Sequence, residues 1–135
     1  MPIRVLLADD IATTREDIKR LLYFEDDIEV VGEAADGEEA VSQAMELQPD
    51  VMLIDINMPR LDGIGATEQI SLNVPRCAII IVSIQGEQEY LRKAMAAGAR
   101  EYLVKPFSGS ELASAIRRVH EGQQKRNLHL AVASG

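Results

Sequence analysis

At 135 residues, with 47% hydrophobic and 27% charged residues, the chain has the size and composition of one globular domain built on one core. A formal net charge of −8 excludes a general polyanion-binding surface, which needs clustered Lys and Arg, so direct nucleic-acid binding is not expected. No apolar run approaches the roughly 20 residues of a membrane helix, and MPIRVLLADD lacks a signal-peptide core, so the chain reads as cytoplasmic with no membrane partner.

The first apolar run, IRVLLA at 3–8, predicts a strand ending on Asp9 and Asp10. Thr14–Phe24 places Ile18, Leu21 and Leu22 on one face of an amphipathic helix. IEVVGEA at 28–34 predicts a second strand, and Gly37–Leu47 a second helix with Ala40, Val41, Ala44 and Leu47 inward. VMLI at 51–54 predicts a third strand, followed by Asp55, Asn57 and Pro59, and Gly63–Leu72 a weaker helix. AIIIV at 78–82 predicts a buried fourth strand before Ser83, with Cys77 a structural thiol at its approach. Glu87–Ala97 carries Leu91, Ala94 and Met95 and stops at Gly98, and EYLV at 101–104 runs into Lys105 and Pro106. Ser110–Glu121 carries Leu112, Ile116 and Val119. After Gly122 the stretch QQKRNLHLAVASG loses helical periodicity, so the domain is expected over 1–122 and a tail or linker over 123–135.

Five strands alternating with five helices predict an α/β domain with a parallel sheet covered on both faces, because parallel neighbours need crossover connections. Ligands of such sheets bind outside the carboxyl ends of the strands. There the chain puts Asp9, Asp10, Asp55, Asn57, Ser83 and Lys105. Three carboxylates on one rim repel unless a cation or proton intervenes, and magnesium suits such hard oxygen donors. No His or Cys cluster offers zinc a home. Asp55, at the end of the central strand, is the best-placed nucleophile toward phosphorus, with Lys105 as fixed positive charge and Ser83 as hydroxyl donor. Asp9 and Asp10 alone favour a solvated turn or helix cap, Asp55 alone also reads as a turn former, and Lys105 alone as a solvated charge. The combination favours the site.

LLADD, LIDINMPRLDG, IIIVS and AREYLVKPF, in that order, resemble the receiver domain of two-component response regulators over residues 2–122. The resemblance implies a flavodoxin-like, doubly wound five-stranded sheet of order 2-1-3-4-5, with Asp55 the phosphoacceptor. It further implies magnesium held by Asp9, Asp10, Asp55 and the Asn57 carbonyl, with Ser83 and Lys105 on the phosphoryl oxygens and Tyr102 the aromatic switch. A cis bond between Lys105 and Pro106 is expected on the same ground. The chain departs from the pattern at Ile84, where the family more often has Ala or Gly. That branched side chain bears on access of phosphodonors and hydrolytic water, and Gln85 and Asn57 flank the same mouth.

Partners implied by the resemblance are a histidine kinase or phosphotransfer protein near the first helix and a downstream effector. A homodimer through the face of helix 4, strand 5 and helix 5 is a further implication, with Lys93, Glu101, Arg117 and Arg118 as interface charges. On that reading the chain is a signalling switch, not an enzyme beyond its own phosphorylation and dephosphorylation. Two alternatives differ: a phosphorylation-independent binding module, or a magnesium phosphohydrolase of the haloacid dehalogenase type. The latter family places a second Asp two residues after its nucleophile, where this chain has Asn57. The stretch from Ile81 to Ser108 also resembles receivers ahead of a MinD/ParA-like ATPase in pilus-assembly proteins, and a transcription regulator lacking its DNA-binding domain is the alternative context.

Overall fold

The computed structural model describes residues 1–84 and 88–134. The strands are β1 (Ile3–Ala8), β2 (Ile28–Ala34), β3 (Val51–Asp55), β4 (Ala78–Ile84) and β5 (Glu101–Lys105). The helices are α1 (Ala12–Leu22), α2 (Gly37–Leu47), α3 (Gly63–Asn73), α4 (Gln88–Ala97) and α5 (Gly109–Ser134). All strand pairs are parallel, in the order β2-β1-β3-β4-β5, as expected. The expected start of the fourth helix at Glu87, and the expected role of Gln85, lie outside the described residues.

Strand alternation divides the core into two layers. Leu6, Met52, Ile54, Ile79 and Ile81 meet Ala40 and Ala44 of α2, Ile70 of α3 and Leu91 of α4 on one face. Val5, Leu7, Leu53, Ile80 and Val82 meet Ile18 and Leu22 of α1 and Leu112 and Ile116 of α5 on the other. Each such Leu or Ile removed from water stabilises the fold by roughly 1.5–3 kcal/mol before the cost of ordering it. The three central strands are buried on both faces, so their sequences are mostly apolar, broken by half-buried Arg4 in β1 and by Asp55 and Ser83 toward the carboxyl ends of β3 and β4. β5 alternates between half-buried and exposed positions, because it is an edge strand.

Capping sets the helix starts. The Asp36 side chain accepts from the N–H of Glu39 at α2, and Asp62 accepts from Gly65 at α3. The Asp62 cap accounts for an ordered α3 despite its weak amphipathicity. Gly98 adopts φ +124° just after α4, a left-handed geometry that glycine provides without strain.

Three expectations are corrected. Leu21, expected on the buried face of α1, is exposed, and α1 ends at Leu22 rather than Phe24. α5 does not stop at Glu121 but continues as one helix to Ser134. Gly122 is not left-handed, and the residues after it are mostly good helix formers, so propensity carries the helix where apolar periodicity fades. Gln123, assigned to the tail, is buried against the domain, its amide donating to the Pro75 carbonyl (3.1 Å). Arg117 belongs to a different side of α5 from the α4–β5 face: it pairs with Glu25 (2.6 Å) and Asp27 (2.8 Å) beside α1 and β2. Arg118 does pair with Glu101 of β5.

Candidate functional site: an acidic pocket at the carboxyl ends of the strands

Because β1, β3, β4 and β5 are parallel and adjacent, their last residues share one rim. Asp9 follows β1, Asp55 ends β3, Ser83 lies near the end of β4, and Lys105 ends β5. The expected residues therefore converge. One carboxylate oxygen each from Asp9, Asp10 and Asp55 lie within 4.8 Å of one another, a separation that a single cation can bridge. Asp9 and Asp55 are buried while Asp10 is exposed, so the cluster opens to solvent on one side.

Local hydrogen bonds orient the carboxylates. Asp9 Oδ1 accepts from the N–H of Ile11 (2.8 Å), which turns the chain away from β1. Asp55 Oδ1 accepts from the N–H of Asn57 (3.1 Å). Lys105 Nζ sits 3.4 Å from Asp55 Oδ2 and 3.5 Å from Asp9 Oδ2, dividing its charge between them. Burial pushes the Asp55 carboxyl above its ordinary range; the Asn57 N–H and Lys105 pull it down, and Asp9 adds to the rise. Crowding of carboxylates in a partly buried site is a repulsion that a cation would relieve.

Ser83 Oγ is buried and has no hydrogen-bond partner among the described residues. A hydroxyl taken out of water without a partner is costly, and such a group usually serves an incoming acceptor. Ile84 is 56% exposed and lies opposite Lys105 in the β4–β5 register, as expected of a side chain at the mouth. The Lys105–Pro106 peptide is cis. Tyr102 is exposed on β5 and, with Gln88, Leu91, Arg92 and Met95, lines a surface groove of about 410 Å³. Cys77 is buried and its thiol is pushed up to about 12 by burial, in keeping with a structural role.

Two supports were not foreseen. Arg15 of α1 donates through Nη1 to the Asp9 carbonyl and through Nε to Glu33 Oε1 (2.9 Å), and Lys19 holds Glu33 Oε2 at 2.8 Å. Lys19 first, and then Arg15, keep the Glu33 carboxyl below its usual range. The loop after Asp55 is held from the other side. Arg60, at φ 68°, pairs with buried Asp36 (3.5 Å), and a Cβ at Gly63 would meet the Asp55 carbonyl oxygen at 2.2 Å. In sequence Arg15 and Arg60 look like ordinary solvated charges; only the strand order brings them to the rim.

The model of the response regulator receiver domain matches residues 5–117. The chain is 37% identical over 123 residues to the response regulator protein VraR of Staphylococcus epidermidis, covering 91% of this chain and 59% of that one. It thus spans about three fifths of the length of the curated relatives it matches. Among solved structures it resembles the response regulator domain of Thermotoga maritima CheB (TM-score 0.83, 36% identity, 90% of this chain and 98% of that one). It also resembles the receiver domain of a Pseudomonas aeruginosa sensor histidine kinase solved with magnesium in its active-site cleft (TM-score 0.80, 30% identity, 90% and 99%). No helix among the described residues is long and apolar enough to cross a membrane. With the sheet order, the carboxylate cluster and these matches in agreement, the chain belongs to the response regulator receiver domain family.

Proposed function

We propose that Asp55 accepts a phosphoryl group from a histidine kinase or phosphotransfer protein in a two-component system. The observation that carries this reading is the convergence of three carboxylates within 4.8 Å, with the Lys105 ammonium within 3.5 Å of two of them. An Asp55 carboxylate oxygen attacks phosphorus, the donor's phosphorus–nitrogen bond breaks, and the leaving imidazole keeps the electron pair and takes a proton. Lys105 then moves its charge from the carboxylates onto a phosphoryl oxygen, and the Ser83 hydroxyl, which has no partner among the described residues, donates to another.

The donor set fits magnesium: Asp9, Asp10 and Asp55 would hold it, with the Asn57 carbonyl as a neutral ligand. When bound, the ion supplies the positive charge that offsets the transferring group's oxygens. The magnesium in the cleft of the Pseudomonas relative supports this assignment. The haloacid dehalogenase alternative lacks support at its key position, which is Asn57.

Downstream, the groove beside Tyr102 is the face that would change on phosphorylation. As Ser83 turns toward the phosphoryl group, Tyr102 gains a route inward, and a partner or second copy reads the altered α4–β5–α5 face. Arg118 and Glu101 already pair within the chain, so a dimer would use them only by exchanging partners. This chain spans about three fifths of the response regulator protein VraR, which leaves room in such a relative for a downstream effector, and the pilus-assembly ATPase context is a second reading based on the sequence resemblance alone.

The experiment is incubation with magnesium and acetyl phosphate, followed by intact mass, with Asp55→Asn as control. A magnesium-dependent gain of one phosphoryl mass, lost in the variant, is the expected result. Absence of an adduct, together with no magnesium-dependent response to beryllofluoride, would favour the phosphorylation-independent binding module. An adduct that persists in the variant would identify another nucleophile.

A further inference from the structure

The loop joining β3 to α3 carries the Asn57 carbonyl, the backbone ligand proposed for magnesium. Asp55 ends β3 and Gly63 opens α3, so residues 56–62 span the gap. The Gly63 N–H donates to the Ile56 carbonyl (2.9 Å), the Leu61 N–H to the Pro59 carbonyl (2.8 Å), and the Ile56 N–H to the Val82 carbonyl of β4 (3.2 Å).

The helices on either side of this loop open on the same dipeptide. Asp36 caps α2 and Gly37 is its first residue; Asp62 caps α3 and Gly63 is its first residue. Glycine is a poor helix former, and neither glycine has the positive φ that would call for it, which among the described glycines belongs to Gly98. Space accounts for both. A Cβ at Gly37 would overlap the carbonyl oxygen of Leu61, and a Cβ at Gly63 would overlap that of Asp55. A Cβ at Gly65 would meet Leu61 Cδ1 at 2.6 Å. Leu61 is thus lodged with its carbonyl against α2 and its side chain against α3, and the loop is wedged between the two helix starts.

Arg60 adds a strained residue to the same loop. Its φ of 68° is one that a side chain-bearing residue seldom adopts, and its guanidinium lies 3.5 Å from Asp36 Oδ2. The other oxygen of Asp36 caps α2 through the Glu39 N–H (2.8 Å). Asp36 therefore starts α2 and faces Arg60 at once.

We propose, on the magnesium reading of the acidic site, that Asp36 and Gly37 are positioning residues for the phosphoacceptor reaction. By seating Arg60 and Leu61 they fix the loop that aims the Asn57 carbonyl at the cation. A backbone carbonyl has no side-chain torsions with which to adjust, so its aim follows the loop, and α2 supplies a close backbone contact to that loop from another element.

The test is a magnesium titration of the whole chain followed by amide chemical shifts, on wild type, Gly37→Ala and Gly122→Ala, with Tm measured in chelator. A Cβ at Gly122 of α5 meets nothing within 4 Å, so Gly122→Ala should raise Tm through helix propensity and leave magnesium affinity unchanged. Gly37→Ala makes the same gain in propensity but displaces Leu61. The proposal expects shifted amides over residues 57–62 in the metal-free variant and magnesium affinity about tenfold lower. Wild-type affinity in folded Gly37→Ala would overturn the proposal alone. A wild type that binds no magnesium would remove the reading of the acidic site, and the proposal with it.

If Gly37→Ala does not fold, Arg60 decides. Arg60→Gln and Arg60→Gly remove the same positive charge, a loss that by itself favours cation binding equally in both. Glycine takes φ 68° freely, whereas glutamine must hold it without the Asp36 pair. The glycine variant should therefore bind magnesium several-fold more tightly than the glutamine variant, and equal affinities would overturn the proposal.

Discussion

Asp55→Asn should make the metal-free protein more stable. Two carboxylate neighbours lie within 4.8 Å of Asp55, and one ammonium lies at 3.4 Å. At any common effective dielectric the two repulsions exceed the one attraction. The net repulsion is about 0.5 kcal/mol in water-like surroundings and about 2 kcal/mol at an effective dielectric of about 20. Burial of the charge, which already pushes the Asp55 carboxyl above its ordinary range, acts in the same direction. Asparagine keeps an oxygen for the Asn57 N–H, but its amide nitrogen replaces the oxygen that accepts from Lys105, which offsets part of the electrostatic gain. A gain of up to about 0.5–2 kcal/mol corresponds to roughly 2–7 °C in Tm for a domain of this size. The assay is thermal unfolding by circular dichroism at neutral pH, low salt and with chelator. Adding salt should shrink the difference, and adding magnesium should raise the Tm of the wild type more than that of the variant. A variant no more stable than the wild type under chelation would refute the electrostatic account of the pocket.

Arg15→Ala removes the donor to the Asp9 carbonyl and half the clamp on Glu33, and should weaken magnesium binding several-fold while the fold survives, as measured by a metal titration; Arg15→Lys should recover part of the loss. Gly63→Ala brings a Cβ to within 2.2 Å of the Asp55 carbonyl oxygen and should destabilise by about 1–3 kcal/mol, read as a lower urea midpoint at unchanged slope. Glu33 has a depressed folded pKa, so its contribution is present above the ordinary 4.5 and is lost as pH falls through the lower folded value. The stability difference between wild type and Glu33→Gln should therefore shrink below pH 4.5, and a difference that grows on acidification would contradict the Lys19–Glu33–Arg15 geometry.

Strands, helices and the acidic rim were legible because each is written in a local pattern. Largely apolar runs marked the buried strands, and the polar residue after each run marked the rim, since parallel strands align their carboxyl ends. Support for the rim was not legible, because Arg15 and Glu33 are 18 residues apart and meet only through the β1–β2 pairing. The far half of α5 was misread for a different reason. Apolar periodicity reports a helix only where a core receives it, and beyond Val119 the buried residue among those described is Gln123, a polar side chain whose hydrogen bonds replace apolar contact.

The distribution of packing also bears on which part of the domain can move. α4 buries only Leu91 and Ala94, and β5 is an edge strand with Tyr102 and Val104 exposed. β1, β3 and β4 are buried on both faces. Displacing a central strand would open both layers of the core, whereas shifting α4 against β5 would uncover little apolar surface. Lys105 and Ser83 stand where these regimes meet: Ser83 pairs in register with Val104, and Lys105 ends β5 while bonding Asp55. A new charge on Asp55 would draw on both groups at once, so its mechanical effect should fall on the loosely packed edge rather than on the centre of the sheet. Hydrogen exchange can check this: on beryllofluoride binding, protection should change in α4 and β5 and stay constant in β1 and β3, and the opposite pattern would place the responsive element elsewhere.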